Sequence, residues 1–410
     1  MISAPTKRTE TPRTETERTG TERTETERYT GPNGTIIIVR SLHPGAMKLG
    51  RFVVDTHVHG QRHAVRFSQS DEDAEYSRLG ELMHTATPAD EADDDDAVIV
   101  YDNSDRLVYD MDSYGVDMCL LLPAFGMTNE INKQIIDEHP EKFVACAYPV
   151  QTKKAAMRGE EEWTAERAAA ELDEVLSWDG MVGIGEFMPS DPTLEERLTW
   201  RERKERIRPF FDVAAKHDVP IRWHPGAASG YQAGGLREQD KLPDWRDPLN
   251  ATDILAEYPD VDLVFEHGGI QGHWRYNVER ACMVAQQHDN VYLEVGLWWD
   301  DILNRPMNDP DIGPDQLLWG TDWGASMIAK SNNSESPMDF PSIRWEQFSS
   351  DGVPAHQPDY WGTSLRMLNK YAMDHDVPQD ELNKILGGNF CDLYDIEPPH
   401  KRLFPEFIEQ

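Results

Sequence analysis

The chain has 410 residues, enough for one large domain or two of ordinary size. Asp and Glu outnumber Lys and Arg by 75 to 40, which gives a formal net charge of -35 at pH 7. Such a charge repels phosphates and argues against nucleic acid and anionic membranes as partners. The acidic residues are mostly dispersed, which favours a halophilic source in which salt screens self-repulsion; an acidic mesophilic protein is the alternative.

The sequence favours a cytoplasmic protein. Its first residues lack the apolar segment of a secretory signal, and no stretch approaches membrane-spanning length. The four cysteines show no paired spacing, and Cys119 and Cys146 lie in apolar runs, as buried free thiols do.

Residues 1–48 are predicted to be a low-complexity, disordered tail with a lead-in segment. Thr9–Tyr29 is a degenerate repeat of Thr, Glu and Arg with almost no apolar residues, so it cannot repay the entropy of ordering. Thr35–Val39 has the composition of a short strand. Residues 49–410 are predicted to form the folded domain.

From Arg51 onward, short apolar runs alternate with segments of helical pattern such as Thr164–Trp178, Leu194–His217 and Trp274–His288. The runs lack polar alternation, as expected for parallel strands covered by helices. Eight such runs predict an α/β fold, a (β/α)₈ barrel. They are Phe52–Asp55, Met118–Pro123, Phe143–Pro149, Met181–Glu186, Pro220–His224, Val261–His267, Asn290–Gly296 and Gln316–Asp322.

Three long segments interrupt the alternation after candidate strands 1, 5 and 8. They are His63–Ala97, Ala227–Leu249 and Met327–Pro358. In a barrel these insertions would surround the site as lids or oligomer contacts.

The motif VDTHVHG carries His57 and His59 directly after the first apolar run. Residues i and i+2 of a strand point to the same face, so both imidazoles project together. Such a pair suits the binding of a single metal ion.

Four further residues able to bind a metal end other apolar runs: Glu186, His224, His267 and Asp322. Any one of them has a structural alternative, because a histidine at a strand end is often only hydrogen bonded. In a barrel, however, the carboxyl ends of the strands form one cavity, so these side chains are expected to converge there.

The chain resembles the amidohydrolase superfamily, and within it the amidohydrolase-related branch that includes aminocarboxymuconate-semialdehyde decarboxylase. The resemblance covers about Arg51–Ile396. The matching segments are VDTHVH, DMDSYGVDMCLLLP, HPEKFVACAYP, WHPG, EHGG, GTDW and ILGGNFCDLYDI. The last segment contains Asn389, which we expect to cap the helix that follows it.

The resemblance implies that His57, His59, His224 and Asp322 bind one divalent ion, usually Zn²⁺. A mixed nitrogen and oxygen site also suits Mn²⁺ or Fe²⁺. The resemblance further implies that His267 is the general base or acid, and its ordinary pKa suits that role. Asp322 would orient the water as well as bind the metal. The alternative for His267 is a residue that only holds a ligand in place.

Three residues are weaker candidates for substrate contacts. Glu186 lies in a GE motif like that of TatD-type nucleases, where this Glu bridges two metals; here it is either a ligand or a polar residue lining the site. Arg280 follows EHGG, and related decarboxylases have an arginine near this position that holds a substrate carboxylate; the alternative for Arg280 is a surface ion pair. In some of those proteins the arginine comes from a neighbouring subunit, so a homodimer is a possible partner state of this chain. Trp298 is either a wall for an apolar substrate or a packing residue.

The expected function is hydrolysis of a small organic substrate, carboxylated or cyclic, by metal-activated water with His267 as general base. Non-oxidative decarboxylation of an aromatic or enoic acid on the same site is the main alternative. A binuclear phosphodiesterase of TatD type and a barrel that binds a ligand without chemistry are weaker alternatives.

Overall fold

The computed structural model of the chain describes most of the second half of the molecule and parts of the first. The described residues are 26–30, 36–40, 51–60, 62–66, 87–88, 98–102, 104–123, 128–157, 159–187, 199–225, 247–269, 274–296, 298, 300–323 and 360–398. The chain divides into two compact units, residues 1–46 and residues 47–410.

The first unit contains an antiparallel pair of strands, β1 (Thr26–Thr30) and β2 (Ile36–Arg40). Strand β2 matches the strand predicted from the run of isoleucines. Strand β1 was not predicted, because it lies in the polar repeat sequence. The remaining residues of the predicted tail lie outside the described ranges, so its disorder stays a prediction.

The second unit is built on eight parallel strands, which confirms the predicted barrel. Their order in the sheet is β13-β12-β11-β10-β9-β8-β7-β3. The strands are β3 (Val54–Val58), β7 (Met118–Leu121), β8 (Phe143–Ala147), β9 (Met181–Phe187), β10 (Ile221–Trp223), β11 (Leu263–Phe265), β12 (Val291–Glu294) and β13 (Leu317–Leu318). Each falls within one of the eight apolar runs or overlaps it, because parallel strands are buried on both faces.

The first and last strands meet, and this contact closes the barrel. Val58 forms a parallel bridge with Trp323. The backbone N–H of Thr56 donates to the carbonyl of Trp319 at 3.0 Å, and that of His59 donates to the carbonyl of Trp323 at 2.7 Å. The residues after β3 and after β13 therefore share one end of the barrel.

Helices connect the strands and cover the sheet. The longest described helix, α5, begins at a capping box in which Thr199 and Glu202 satisfy each other's backbone N–H groups. The helices are α1 (Ser104–Tyr114), α2 (Asn129–Glu138), α3 (Val150–Met157), α4 (Ala165–Val175), α5 (Trp200–His217), α6 (Ala251–Leu255), α7 (Trp274–Ala285), α8 (Asp300–Met307), α9 (Tyr360–Asp374), α10 (Gln379–Asn383) and α11 (Asn389–Leu393).

Of the three predicted insertions, the structure describes part of the first. It contains a small antiparallel sheet in which β4 (Arg62–Arg66) lies between β5 (Thr87–Pro88) and β6 (Val98–Asp102). The insertions after strands 5 and 8 lie almost entirely outside the described residues.

Two apolar clusters form the core. The larger one joins the outer faces of the strands to the helices. The smaller one fills the lower part of the barrel with alternate strand residues such as Val54, Leu120 and Leu318, together with Phe390 and Tyr394 from the C-terminal segment. The C-terminal segment thus closes the end of the barrel opposite the site.

Asn389 helps to attach this C-terminal segment to the barrel. Its side-chain amide donates to the carbonyls of Pro314 and Leu317 at 2.7 and 2.8 Å. The helix that begins at Asn389 has no side-chain cap, so the predicted capping role is wrong. Among the described helices, none has the length and apolar character that crossing a membrane requires.

Candidate metal centre

All six histidines and carboxylates that the sequence places at strand ends lie at one end of the barrel. His57 belongs to β3, which His59 directly follows, and Glu186 belongs to β9. His224 directly follows β10, and His267 is the second residue after β11. Asp322 follows β13. His267 and Asp322 have left-handed backbone conformations, with φ of 54° and 58°. Non-glycine residues rarely adopt this conformation, and its presence at two site residues indicates that the local fold imposes it.

Three ligand atoms converge at the seam between the first and last strands. His57 Nε2 lies 3.2 Å from His59 Nε2. Asp322 Oδ1 lies 3.0 Å from His59 Nε2 and 3.5 Å from His57 Nε2. Two ligands bound tetrahedrally to zinc at about 2.0–2.1 Å are roughly 3.3–3.4 Å apart. The spacing therefore fits a common divalent ion.

The other nitrogen of each ring has a partner that fixes the ring. His57 Nδ1 lies 3.1 Å from both carboxylate oxygens of Glu294. His59 Nδ1 lies 3.1 Å from the carbonyl oxygen of Leu122. Because these partners accept hydrogen bonds, they favour a proton on Nδ1 and leave the Nε2 lone pairs free for a metal. The donor set thus fits the metal that the site residues predict.

Glu186 lies between this group and His224. Its Oε1 is 3.3 Å from His224 Nε2, and its Oε2 is 4.0 Å from His59 Nε2. The structure places His224 nearer to Glu186 and Glu266 than to Asp322. The groups whose ligand atoms lie within 4.8 Å of one another are His57, His59 and Glu186; His57, His267 and Asp322; and Glu186, His224 and Glu266.

His267 packs against the metal-site residues. Its ring stacks on that of His57 with a centroid distance of 4.6 Å and an interplanar angle of 26°. Its Nε2 lies 3.9 Å from Asp322 Oδ2, and its Nδ1 lies 3.2 Å from Glu294 Oε1. A histidine placed in this way can exchange a proton with a molecule beside Asp322.

Trp298 and Arg280, the two remaining candidates for substrate contacts, differ in burial. Trp298 is 1% exposed, and its indole N–H donates to the carbonyl of His267 at 2.8 Å. This contact favours the packing alternative. Arg280 is partly buried and forms an ion pair with Asp247, at the end of the fifth-strand insertion. The structure therefore does not bring Arg280 into the histidine cluster.

A charged layer lies directly beneath the histidines. Arg222 is fully buried, forms an ion pair with Glu294, and places Nε 3.4 Å from Glu266 Oε1. These three residues were not among the sequence-predicted candidates. Their positions in the sequence could have indicated them. Arg222 is two residues before His224, Glu266 is next to His267, and Glu294 lies inside the apolar run Asn290–Gly296.

The electrostatics suit metal binding. Burial lowers the pKa of His224 to about 4, and burial also lowers the pKa of His57, with Glu294 opposing. Burial acts to raise the pKa of Asp322, but its hydrogen bond with His59 and the neighbouring histidines lower it to about 2. Two neutral imidazoles and an ionised carboxylate are the protonation states that a divalent ion requires.

His59, His267 and Glu294 differ from these three residues. Burial acts to lower the pKa of His59, but its hydrogen bond with Asp322 and the charges of Asp322 and Glu186 outweigh burial and raise the pKa above its ordinary value. Burial acts to lower the pKa of His267, but Glu294, Asp322 and Glu186 outweigh it and raise the pKa above its ordinary value. Burial acts to raise the pKa of Glu294, but His57, Arg222 and His267 hold it well below its usual range. Glu294 is therefore an ionised carboxylate at the base of the site.

The parallel barrel carries histidines and carboxylates at the carboxyl ends of its strands. This combination places the chain in the class of barrel proteins whose site is able to bind a metal. The chain belongs to the amidohydrolase family, whose model, described as amidohydrolase, matches residues 54–396. That match covers the whole barrel and all of the predicted metal ligands.

Solved structures with a similar fold are distant in sequence. Amidohydrolase 2 from Bifidobacterium longum subsp. infantis is 13% identical, with a TM-score of 0.42 over 85% of this chain and 100% of that one. A TatD family hydrolase from Entamoeba histolytica is 12% identical, with a TM-score of 0.47 over 85% and 99%. Dihydroorotase from Campylobacter jejuni is 10% identical, with a TM-score of 0.39 over 85% of each chain. These similarities are too distant to bear on the substrate.

No curated protein matches the sequence.

Proposed function

We propose that the protein is a metal-dependent hydrolase that acts on a small organic substrate, carboxylated or cyclic. The observation that carries the proposal is the convergence of His57 Nε2, His59 Nε2 and Asp322 Oδ1 within 3.5 Å of one another. We place the chain in the branch that includes aminocarboxymuconate-semialdehyde decarboxylase, which is supported by the GGN segment at residues 387–389 and by HPEKFV at residues 139–144.

The proposed cofactor is one divalent ion, Zn²⁺ before Mn²⁺ or Fe²⁺, because the donors are nitrogen and oxygen. His57, His59, His224 and Asp322 would hold it. When bound, such an ion supplies a Lewis acid and makes water acidic enough to react near neutral pH. Its positive charge would also lower the pKa values of the histidines around it.

His267 is the proposed general base. Its Nδ1 faces the ionised carboxylate of Glu294, which favours a proton on Nδ1 and leaves Nε2 free to accept another. Glu294 would then stabilise the imidazolium that forms. Asp322, with Oδ2 3.9 Å from His267 Nε2, would orient the water between them.

Glu186 and Arg280 are the proposed polar contacts for the substrate. Glu186 is 13% exposed in its side chain and borders the histidine cluster, so we propose it as a polar contact for a substrate. Arg280 forms an ion pair with Asp247 and would have to hold a substrate carboxylate in competition with that partner or beside it. The same site could instead release CO₂ from an aromatic or enoic acid.

A binuclear centre is the second candidate, and one observation favours it. Glu186, His224 and Glu266 form a separate group able to hold an ion, and Glu186 also belongs to the group containing His57 and His59. A bridging Glu186 would join two ions. The net charge of -35 nevertheless counts against a nucleic-acid substrate.

The test starts with elemental analysis of the purified protein, followed by assays of the metal-loaded form on carboxylic acids and lactones. His57→Ala and Asp322→Ala are expected to lose both metal and activity, whereas His267→Ala keeps the metal and loses activity. Ring opening without CO₂ supports the hydrolase, and CO₂ release supports the decarboxylase. Near wild-type turnover by His267→Ala would exclude its role as the base.

A further inference from the structure

We infer that Glu294, held by Arg222, is a positioning residue that anchors both the metal ligand His57 and the proton-handling His267. The inference rests on the proposed metal centre, because it assigns the residue that orients two of that centre's imidazoles. Glu294 ends β12 and its side chain is fully buried beneath the site.

The contacts of Glu294 all come from groups that donate or can donate a proton. His57 Nδ1 lies 3.1 Å from both of its oxygens. The backbone N–H of His267 donates to Oε1 at 3.2 Å, and His267 Nδ1 lies 3.2 Å from the same oxygen. Arg222 Nη2 donates to Oε2. One carboxylate therefore holds the ring of a ligand and the backbone turn that carries His267. The His267 ring itself lies within ion-pair distance of the same carboxylate, without the geometry of a hydrogen bond.

Arg222 fixes the carboxylate in turn. Its guanidinium lies between Glu294 and Glu266, and Nη1 is 3.4 Å from the hydroxyl of Tyr394. A guanidinium can hold several acceptors at once in a fixed geometry, which a lysine ammonium cannot do as rigidly. Glu294 is therefore held from below while it holds the imidazoles above.

The neighbouring strands leave room for this pair. A Cβ atom at Gly185 would lie 2.7 Å from Cβ of Arg222, and a Cβ atom at Gly320 would lie 2.7 Å from Cδ of Glu294. Such contacts are too short for any side chain. The barrel thus accommodates a charged pair where apolar residues would normally fill the interior.

The consequence is that the two rings cannot be positioned independently. A change at Glu294 alters the orientation of His57 towards the metal and that of His267 towards the reacting molecule. Carboxylates that orient metal-bound histidines typically contribute about 10–100-fold to metal affinity or activity.

Glu294→Gln tests the inference. Because its partners are donors, the amide NH₂ faces a donor whichever way the side chain turns. The metal-free protein is titrated with Zn²⁺ in competition with a chelator, and we expect affinity to fall about 10–100-fold. Tyr394→Phe is the matched control, since it contacts Arg222 from the other side and touches neither ring; its zinc affinity should stay within about twofold of wild type.

A second readout does not depend on metal. Long-range ¹H–¹⁵N spectra of the metal-free protein report the ring tautomers, with the His57 signal assigned by its loss in His57→Ala. We expect His57 to carry its proton on Nδ1 in wild type and in Tyr394→Phe, and to lose this preference in Glu294→Gln. A merely structural role would leave the tautomer unchanged.

The outcomes separate the two proposals. If wild type binds no Zn²⁺, the proposed metal centre fails, and the tautomer spectra still decide the role of Glu294. If wild type binds Zn²⁺ and Glu294→Gln matches it in affinity and tautomer, the inference is wrong. Should Glu294→Gln not fold, Glu294→Asp withdraws the carboxylate by one methylene, and wild-type affinity and tautomer in that variant would equally overturn the inference.

Discussion

The indole N–H of Trp361, in α9, donates a hydrogen bond to the carboxylate of Asp55, in the first barrel strand. Asp55 also accepts from the backbone N–H groups of His57 and Thr321, each at 3.0 Å, and from the Thr321 hydroxyl at 2.5 Å. Trp361→Phe is expected to destabilise the fold by about 1–2 kcal/mol, because a buried hydrogen bond is lost and a polar oxygen of Asp55 loses a donor. Urea denaturation of the metal-free protein measures the change.

Asp55→Asn should cost more, about 2–3 kcal/mol, because its amide NH₂ would face either two backbone N–H groups or the indole N–H of Trp361, none of which can accept a hydrogen bond. In the double variant the two effects should be less than additive, since both act on one contact. Strict additivity would show that the cost of Trp361→Phe does not depend on the Asp55 carboxyl group, which would contradict this prediction.

Trp298 and Trp319 provide a matched pair of buried indoles. Trp298 donates to the carbonyl of His267, and Trp319 donates to the Ser364 hydroxyl at 2.8 Å, away from the site. Trp298→Phe should lower kcat by about tenfold with metal content unchanged, because the turn that carries His267 loses its support. Trp319→Phe should lower the midpoint of thermal unfolding while sparing kcat. Equal kcat in the two variants would contradict the assignment.

Glu186→Gln separates one metal from two. If the centre holds one ion on His57, His59, His224 and Asp322, the variant should retain one ion per chain, with affinity lowered by about tenfold at most. If Glu186 bridges two ions, the variant should lose one of them. Elemental analysis of wild type and variant after equal metal loading gives the answer. Asp262→Asn, far from the cluster along β11, serves as the control for loading.

Asp262 predicts a pH dependence of stability. Burial, with the nearby Asp218, raises the pKa of Asp262 to about 6, above the value of roughly 3.9 in an unfolded chain. The folded state therefore binds the proton more tightly, and this contribution to stability is present below about pH 4 and lost as pH rises through 6.

Asp262→Asn should thus match wild type at pH 4 and unfold about 1–2 °C higher at pH 8, a small gain because Asp262 is partly exposed. Thermal unfolding at both pH values measures it. Asp260→Asn, on the same loop and exposed, should show no such divergence. If Asp262→Asn were less stable than wild type at pH 8, the ionised Asp262 side chain would stabilise the fold, which contradicts this prediction.

Much of the barrel could be predicted from sequence because its strands are short, apolar and buried on both faces. Met118–Leu121 and Phe143–Ala147 lie inside their predicted runs. The candidate ligands were also accessible, since a polar residue that ends an apolar strand stands out. His57 and Asp322 are 265 positions apart, yet parallel strands place both at one end of the barrel.

The sequence did not allow three buried charged residues to be predicted as part of the site, namely Arg222, Glu266 and Glu294. Each lies inside an apolar run or at its edge, where a lone charge reads as a surface residue or an irregularity. What makes them compatible with burial is their mutual pairing across three strands, and no single strand carries that information. The capping role predicted for Asn389 was wrong for the same reason, because its actual partners, Pro314 and Leu317, lie in a different part of the chain.

The seam between the first and last strands has one more consequence. Asp55 and Thr321, which meet across it, are 266 positions apart in the chain, and the proposed ligands His57, His59 and Asp322 sit on the same seam. A bound cation would therefore cross-link the two ends of the barrel, and closing so long a loop is entropically costly for the unfolded chain. Metal uptake would then be a late event that marks the completed fold.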